Sequence, residues 1–152
     1  MNDPRSIKAS QAALMVSADD TEATFYEALQ QGDLDRVMSV WAEEDEIACV
    51  HPGGPRAVGV VAIRASLEAV LSQGSLHVTL EQVRRLETAT CAVHHVLEKI
   101  QAMTPEGLQQ AYVMATNVYL RTAQGWRMVL HHASPGQPHD MPDVVELGAT
   151  LH

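Results

Sequence analysis

The sequence has few residues of several kinds, and each shortage argues against a class of protein. It holds 2 cysteines among 152 residues and no CxxC motif, which argues against a disulfide framework or a zinc knuckle. Its 10 lysines and arginines are scattered among 19 acidic residues, so the formal net charge is −9. Nucleic acids and anionic membranes need clustered positive charge, and we expect neither as a partner. No apolar run approaches the ~20 residues of a membrane-spanning helix.

The remaining composition is that of one globular domain. Hydrophobic residues make up 46% of the chain and charged residues 19%, and this length can bury a core without disulfides or metal. The first residues, MNDPRSIKAS, carry no signal-peptide pattern, so we expect a cytoplasmic protein. We divide the chain into a flexible lead-in at 1–18, a folded domain at 19–135 and a C-terminal tail at 136–152.

Helices are predicted first and strands afterwards. Asp19 and Asp20 can cap a first helix that Gly32 ends, Asp33 can cap a second at 34–42, and a third begins after Gly59. A short strand at 47–50 lies between them. From residue 75 apolar and polar residues alternate in four segments with hairpin-like breaks. This order predicts an α+β domain with the helices on one face of an antiparallel sheet.

The segment CVHPGG at residues 49–54 ends the short strand on an ionisable side chain. Pro52 favours an extended His51, while Gly53 and Gly54 allow a sharp return of the chain. This would hold the His51 imidazole in one place, where it could exchange protons near neutral pH or donate a hydrogen bond. A histidine that only bonds the loop backbone is the alternative.

The order of these motifs resembles the SnoaL-like and ketosteroid-isomerase-like branch of the NTF2-like superfamily. The resemblance covers residues 20–135 and rests on FYEALQQGDLDRVMSVWAEED, on CVHPGG followed by GVVAIRASL, and on GWRMVLHHAS. It implies a conical α+β barrel, in which three N-terminal helices pack against a curved, mainly antiparallel sheet around an internal pocket. Such proteins are often homodimers that associate through the sheet. A fold of this kind does not fix a function.

The resemblance also implies three positions for ketosteroid isomerase chemistry, namely a base and two hydrogen-bond donors to an enolate. The base position is His51 here, the first donor position is Phe25, which has no hydroxyl, and the second is Thr116 or Asn117. Alternation puts Thr116 on the more apolar face of its strand, so we favour Thr116 as the pocket residue. We expect no turnover of a Δ5-3-ketosteroid, because losing one such donor costs roughly 10²–10³ in rate.

Alternation in the last strand predicts which of its residues face the pocket. Alternate residues from Trp126 to Ser134 share one face, and the apolar members of this face indicate that it points inward. We therefore name His51 and His132 as candidate catalytic residues, although either could be structural. The candidate ligand-binding residues are Phe25, Trp41, Thr116, Met128, Leu130 and Ser134.

These features predict a protein that binds a small apolar or cyclic ligand in the cone pocket. If it is an enzyme, we expect acid–base chemistry of an isomerase, cyclase or dehydratase. A non-catalytic dimerisation or ligand-sensing module is the alternative. We expect no cofactor and no metal, since no HxH or HExxH spacing is present. We expect a homodimer through the outer sheet face, where we place Val113 and Tyr119 opposite Met114 and Val118.

Overall fold

The computed structural model describes residues 15–74, 76–136 and 142–146. Its helices are α1 (Ala18–Gln31), α2 (Leu34–Ser39) and α3 (Val60–Leu71). Its strands are β1 (Ala48–Val50), β2 (Arg56–Val58), β3 (Leu76–Glu87), β4 (Cys91–Thr104), β5 (Gly107–Thr122) and β6 (Gly125–Pro135). The predicted lead-in and tail lie largely outside the described residues. None of the described helices is long and apolar enough to cross a membrane.

Local capping residues set the ends of the first two helices. Ser17, rather than Asp19 or Asp20, caps α1, because its hydroxyl oxygen accepts a hydrogen bond from the Asp20 N–H at 3.1 Å. Gly32 ends α1 with a φ of 68°, in the left-handed region that glycine adopts without strain. The second helix ends at Ser39 rather than at 42.

The six strands form one curved sheet in the order β2-β1-β6-β5-β4-β3. All neighbours pair antiparallel except β1 and β6, which are parallel. The sheet does not close, so β2 and β3 are its edges. The three helices pack on one face of the sheet, and the core between them includes Phe25, Val37, Ile63 and Leu67. The predicted α+β architecture, with helices on a curved, mainly antiparallel sheet, is confirmed.

A β-bulge in β6 reverses the faces that simple alternation predicts. Val118 pairs with Leu130 but Tyr119 pairs with Met128, so Val129 is an extra residue without a partner in the register. An extra residue turns the side chains that follow it to the opposite face. Met128 is therefore buried before the bulge, and His131 is buried after it. The prediction that one inward face runs from Trp126 to Ser134 is wrong.

Candidate functional site

The predicted site residues divide between the two faces of the sheet. Phe25 and Met128 are 0% exposed, Trp41 is 3% exposed, and all three belong to the core under the helices. His51 is half-buried at the end of β1. The other four predicted residues lie on the outer face of the sheet, and they are Thr116, Leu130, His132 and Ser134. Thr116 and His132 are direct cross-strand partners there.

The correction at Thr116 has a specific physical reason. Asn117 and Tyr119 of β5 are fully buried, while Thr116 lies outside and its hydroxyl is 3.1 Å from His95 Nδ1. Alternation predicts that the more apolar face of β5 is the inner one. In the structure the inner face carries hydrogen-bonded polar side chains, and apolar residues such as Val118 lie outside. Of the two alternatives, Asn117 is the interior residue.

The HPGG segment forms the sharp turn that the sequence predicted. The His51 carbonyl accepts a hydrogen bond from the Gly54 N–H at 2.9 Å, and Gly53 has a φ of 73°. Proline at the second position and a positive φ at the third are typical of a type II turn. The turn holds the His51 ring centroid 6.0 Å from that of His131. Burial lowers the pKa of His51, so its imidazole is neutral at pH 7 and can accept a proton.

Buried polar side chains join α1 to the inner face of β4, β5 and β6. Each is at most 5% exposed, and every one has a hydrogen-bond partner, as buried polar groups require. We call this set the interior network, and its members are Glu22, Tyr26, His94, Glu98, Asn117, Tyr119 and His131.

Asn117 is the centre of the interior network. Its Nδ2 donates to the Tyr26 hydroxyl at 2.9 Å and to Glu22 Oε2 at 3.3 Å. Its Oδ1 is 2.6 Å from His131 Nδ1, which must therefore carry the proton that it donates. Burial, and then the neighbouring His51 and His132, lower the pKa of His131 to about 3. His131 is thus a neutral ring whose Nε2 can only accept a hydrogen bond.

Tyr26 is an interior hydroxyl to which the sequence analysis assigned no role. It lies next to Phe25, and its hydroxyl donates to Glu98 Oε2 at 2.5 Å. Burial raises the pKa of Glu98 to about 7, although the Tyr26 hydrogen bond opposes this. Burial and the Glu98 charge also raise the pKa of Tyr26, so it stays a donor. Glu22 and Tyr26 lie four residues apart, on one face of α1. This spacing is the sequence signal that could have identified both as members of one polar group.

His94 occupies the other end of the interior network. It is 0% exposed, with Nδ1 2.9 Å from Glu22 Oε2 and Nε2 3.1 Å from Glu87 Oε1. Burial alone would lower the pKa of His94, but the hydrogen bond and charge of Glu22, with Glu87 and Asp19, outweigh burial and raise it. His95, its neighbour in the sequence, is exposed on the outer face.

One cluster of side chains in the described part of the chain has the spacing of a metal site. Ligand atoms of Asp19, Glu87 and His94 lie within 4.8 Å of one another. Both His94 nitrogens are already engaged by carboxylates, and Asp19 accepts a hydrogen bond from Arg85 at 2.9 Å. The cluster is thus accounted for by its internal ion pairs.

Comparisons with known proteins agree with this architecture. A candidate calcium/calmodulin-dependent protein kinase type II association domain from Thiobacillus denitrificans is 34% identical, covers 82% of this chain and 98% of its own, and has a TM-score of 0.74. A candidate dehydratase of the NTF2-like family from Streptomyces avermitilis is 27% identical, covers 86% of this chain and 97% of its own, and has a TM-score of 0.71. No curated protein matches the chain. The SnoaL-like domain family matches residues 19–138, nearly all of the folded part, and the chain therefore belongs to this family of the NTF2-like superfamily.

Proposed function

We propose that the chain binds a small apolar or cyclic molecule beside His51 and His131 and exchanges a proton with it. The observation that carries this proposal is the position of His51, a half-buried neutral imidazole fixed by a type II turn 6.0 Å from His131. The Phe25 ring lies 5.3 Å from His131 and would form an aromatic wall for a molecule bound there. Mostly apolar surroundings with a few fixed polar groups are typical of small-molecule sites.

The two imidazoles are suited to different tasks. His131 commits its Nδ1–H to Asn117, so its Nε2 can accept a hydrogen bond from a ligand hydroxyl. His51 has no carboxylate partner among the described residues and is neutral, so it can take up a proton and return it. Such a base supports enolisation or elimination of water without a metal. The likeness to a candidate dehydratase fits this class of chemistry.

Hydrogen exchange on a simple ketone tests His51 without knowledge of the natural substrate. In D2O, with cyclohexanone as the probe, we expect the protein to speed loss of the α-proton NMR signals above the buffer rate. His51→Ala should reduce that excess rate by roughly 10²-fold or more, the usual contribution of a general base.

His132→Ala is the matched control, because His132 is an exposed imidazole on the opposite face of the sheet. This variant should retain the full excess rate. Absence of any acceleration by the parent protein, or equal losses in the two variants, would contradict a proton-transfer role for His51.

A second candidate function, a dimerisation module, has its own support on the outer face. Leu86, Val93, Val118 and Leu130 lie in register across β3, β4, β5 and β6, and we call them the outer row. Leu86 is 69% exposed. Val113 and Tyr119, which the sequence analysis places on this face, are buried on the inner one. The relative named as an association domain makes a second copy of this chain the proposed occupant of the row.

Replacing Val118 by glutamate should convert a dimer into a monomer. Val118 lies in the middle of the outer row, and a carboxylate there would be buried unpaired between two copies. Sedimentation velocity at tens of micromolar measures the change. Val61→Glu is the control, since Val61 is 84% exposed on α3 and should leave the dimer intact. A monomeric parent protein at that concentration would exclude this interface.

A further inference from the structure

A cavity of about 350 Å³ lies where the end of α2, the start of α3 and the β5–β6 turn meet. Met38, Trp41 and Val60 supply apolar walls, while Thr122, Gln124 and Arg127 line it with polar groups. We call it the hairpin-end cavity. Its volume lies within the range of small-molecule sites. Neither His51 nor any member of the interior network lines it, so it is separate from the proposed proton-transfer site.

Arg127 is the unusual residue of this cavity. It is 5% exposed, yet no carboxylate of the described residues lies within ion-pair distance of its guanidinium. Its Nη1 donates to the Trp126 carbonyl at 3.2 Å and lies 2.7 Å from the uncharged Met15 Sδ. Burial lowers the pKa of Arg127, and the charge of Glu43 offsets this only in part. Arginine is almost never buried without a paired anion, because desolvating the charge is costly.

We propose that the hairpin-end cavity binds a small monocarboxylate with an apolar body, and that Arg127 is the anchor of the carboxylate. The planar fork of a guanidinium matches the two oxygens of a carboxylate. Trp41, in the wall of the same cavity, carries the one buried side-chain N–H in the described residues that has no acceptor. A bound carboxylate would therefore supply an anionic partner for the Arg127 guanidinium and an acceptor for the Trp41 N–H.

The remaining lining residues limit the charge of the ligand. Glu43 and Glu44 also line the cavity, and the chain as a whole has a net charge of −9. Two carboxylates near the site disfavour a dianion such as phosphate more than a monoanion. The apolar wall formed by Met38, Trp41 and Val60 favours a hydrocarbon or aromatic body over a fully polar one.

Three probes separate these requirements. Benzoate has the charge and the apolar body, benzyl alcohol has the same body without the charge, and inorganic phosphate has the charge without the body. With the 152-residue chain, we expect millimolar benzoate to raise the melting temperature and to shift the indole N–H signal of Trp41 in NMR spectra. Benzyl alcohol and phosphate should do neither.

Arg127→Met then distinguishes a ligand anchor from a structural arginine. Methionine has a similar length and no charge, so this variant should melt higher than the parent without ligand, because an unpaired buried charge is removed. Its affinity for benzoate should fall by roughly 10- to 100-fold, the value of a charge-assisted hydrogen-bonded pair. Arg121→Met, which removes an exposed arginine of β5, should keep the benzoate response.

Two results would overturn the inference. The first is a parent protein that benzoate does not stabilise. The second is an Arg127→Met variant that is less stable than the parent or does not fold, because Arg127 would then have an internal partner and a structural role.

Discussion

Replacing Glu22 by glutamine should lower the free energy of unfolding by about 3 kcal/mol, the usual cost of breaking a buried charged network. Glu22 Oε2 accepts hydrogen bonds from the Tyr119 hydroxyl at 2.7 Å and from Asn117 Nδ2 at 3.3 Å, and it lies 2.9 Å from His94 Nδ1. Glutamine preserves the shape of the side chain but removes the charge and adds two N–H donors. Buried donors then exceed the available acceptors.

Chemical unfolding at pH 7 measures this loss, and thermal unfolding should show a decrease in melting temperature of roughly 10 °C. Glu27→Gln is the matched control on the same helix, because Glu27 is exposed and its hydrogen-bond partners in the described part of the chain are the Gln31 and Arg36 side chains at the surface. This control should change stability little, as surface ion pairs generally do.

A second measurement tests the network directly. Glu22 is a principal cause of the raised pKa of His94, so the pKa of that imidazole, followed by NMR, should fall in Glu22→Gln. A variant with unchanged stability and an unchanged His94 titration would show that Glu22 is not the acceptor that holds the network together.

The parts of the fold that sequence predicted correctly depend on neighbouring residues. Gly32 ends α1, and the HPGG segment makes a type II turn, because each requires a backbone conformation that a particular residue supplies locally. Hydrophobic periodicity likewise identified the three helices and the four long strands. The second edge strand, β2, was missed because three residues carry too little periodicity.

The face of β6 could not be predicted, because a single bulge residue decides it. The predicted alternation of faces in GWRMVLHHAS holds up to Met128 and is reversed after Val129. His131 therefore lies in the interior, where the sequence predicted His132. Nothing in the residue types around Val129 identifies the bulge. It appears only in the pairing with Val118 and Tyr119 of β5, on the other side of the hairpin turn.

The interior network was missed for a different reason. Its hydrogen bonds join residues far apart in sequence, such as Tyr26 and Glu98, which are separated by 72 positions. Viewed in its own segment, each polar residue resembles a surface residue, and burial is acceptable only because the partners meet in the fold. The rule that the more apolar face points inward therefore failed at Asn117, while it held for the helices.

The second large effect is expected from Glu98→Gln, and it depends on pH. Burial raises the pKa of Glu98 from 4.5 to about 7 in the folded protein. At pH values between 4.5 and 7, Glu98 has lost its proton in the unfolded chain but keeps it in the folded protein. The free energy of unfolding therefore decreases as pH rises, by ~1.4 kcal/mol per pH unit. Glutamine at this position resembles the protonated acid and still accepts the Tyr26 hydrogen bond. The variant should therefore gain about 3 kcal/mol over the parent between pH 4.5 and pH 8.

The pH dependence caused by Glu98 would be hidden in the parent protein, because His131 contributes a pH dependence of opposite sign. The pKa of His131 falls from 6.5 to about 3 on folding. Below pH 6.5 the unfolded chain therefore binds a proton on His131 that the folded protein does not, and the free energy of unfolding rises with pH between about 3 and 6.5. The two slopes have opposite signs from pH 4.5 to 6.5 and should nearly cancel in the parent. In Glu98→Gln the Glu98 slope is absent and no longer cancels the His131 slope, so the free energy of unfolding should increase more steeply with pH than in the parent. Urea unfolding across this range, with exposed Glu68→Gln as the control, measures the difference. Parallel profiles for the parent and Glu98→Gln would mean that Glu98 is already ionised in the folded protein, and that Tyr26 donates to a permanent charge.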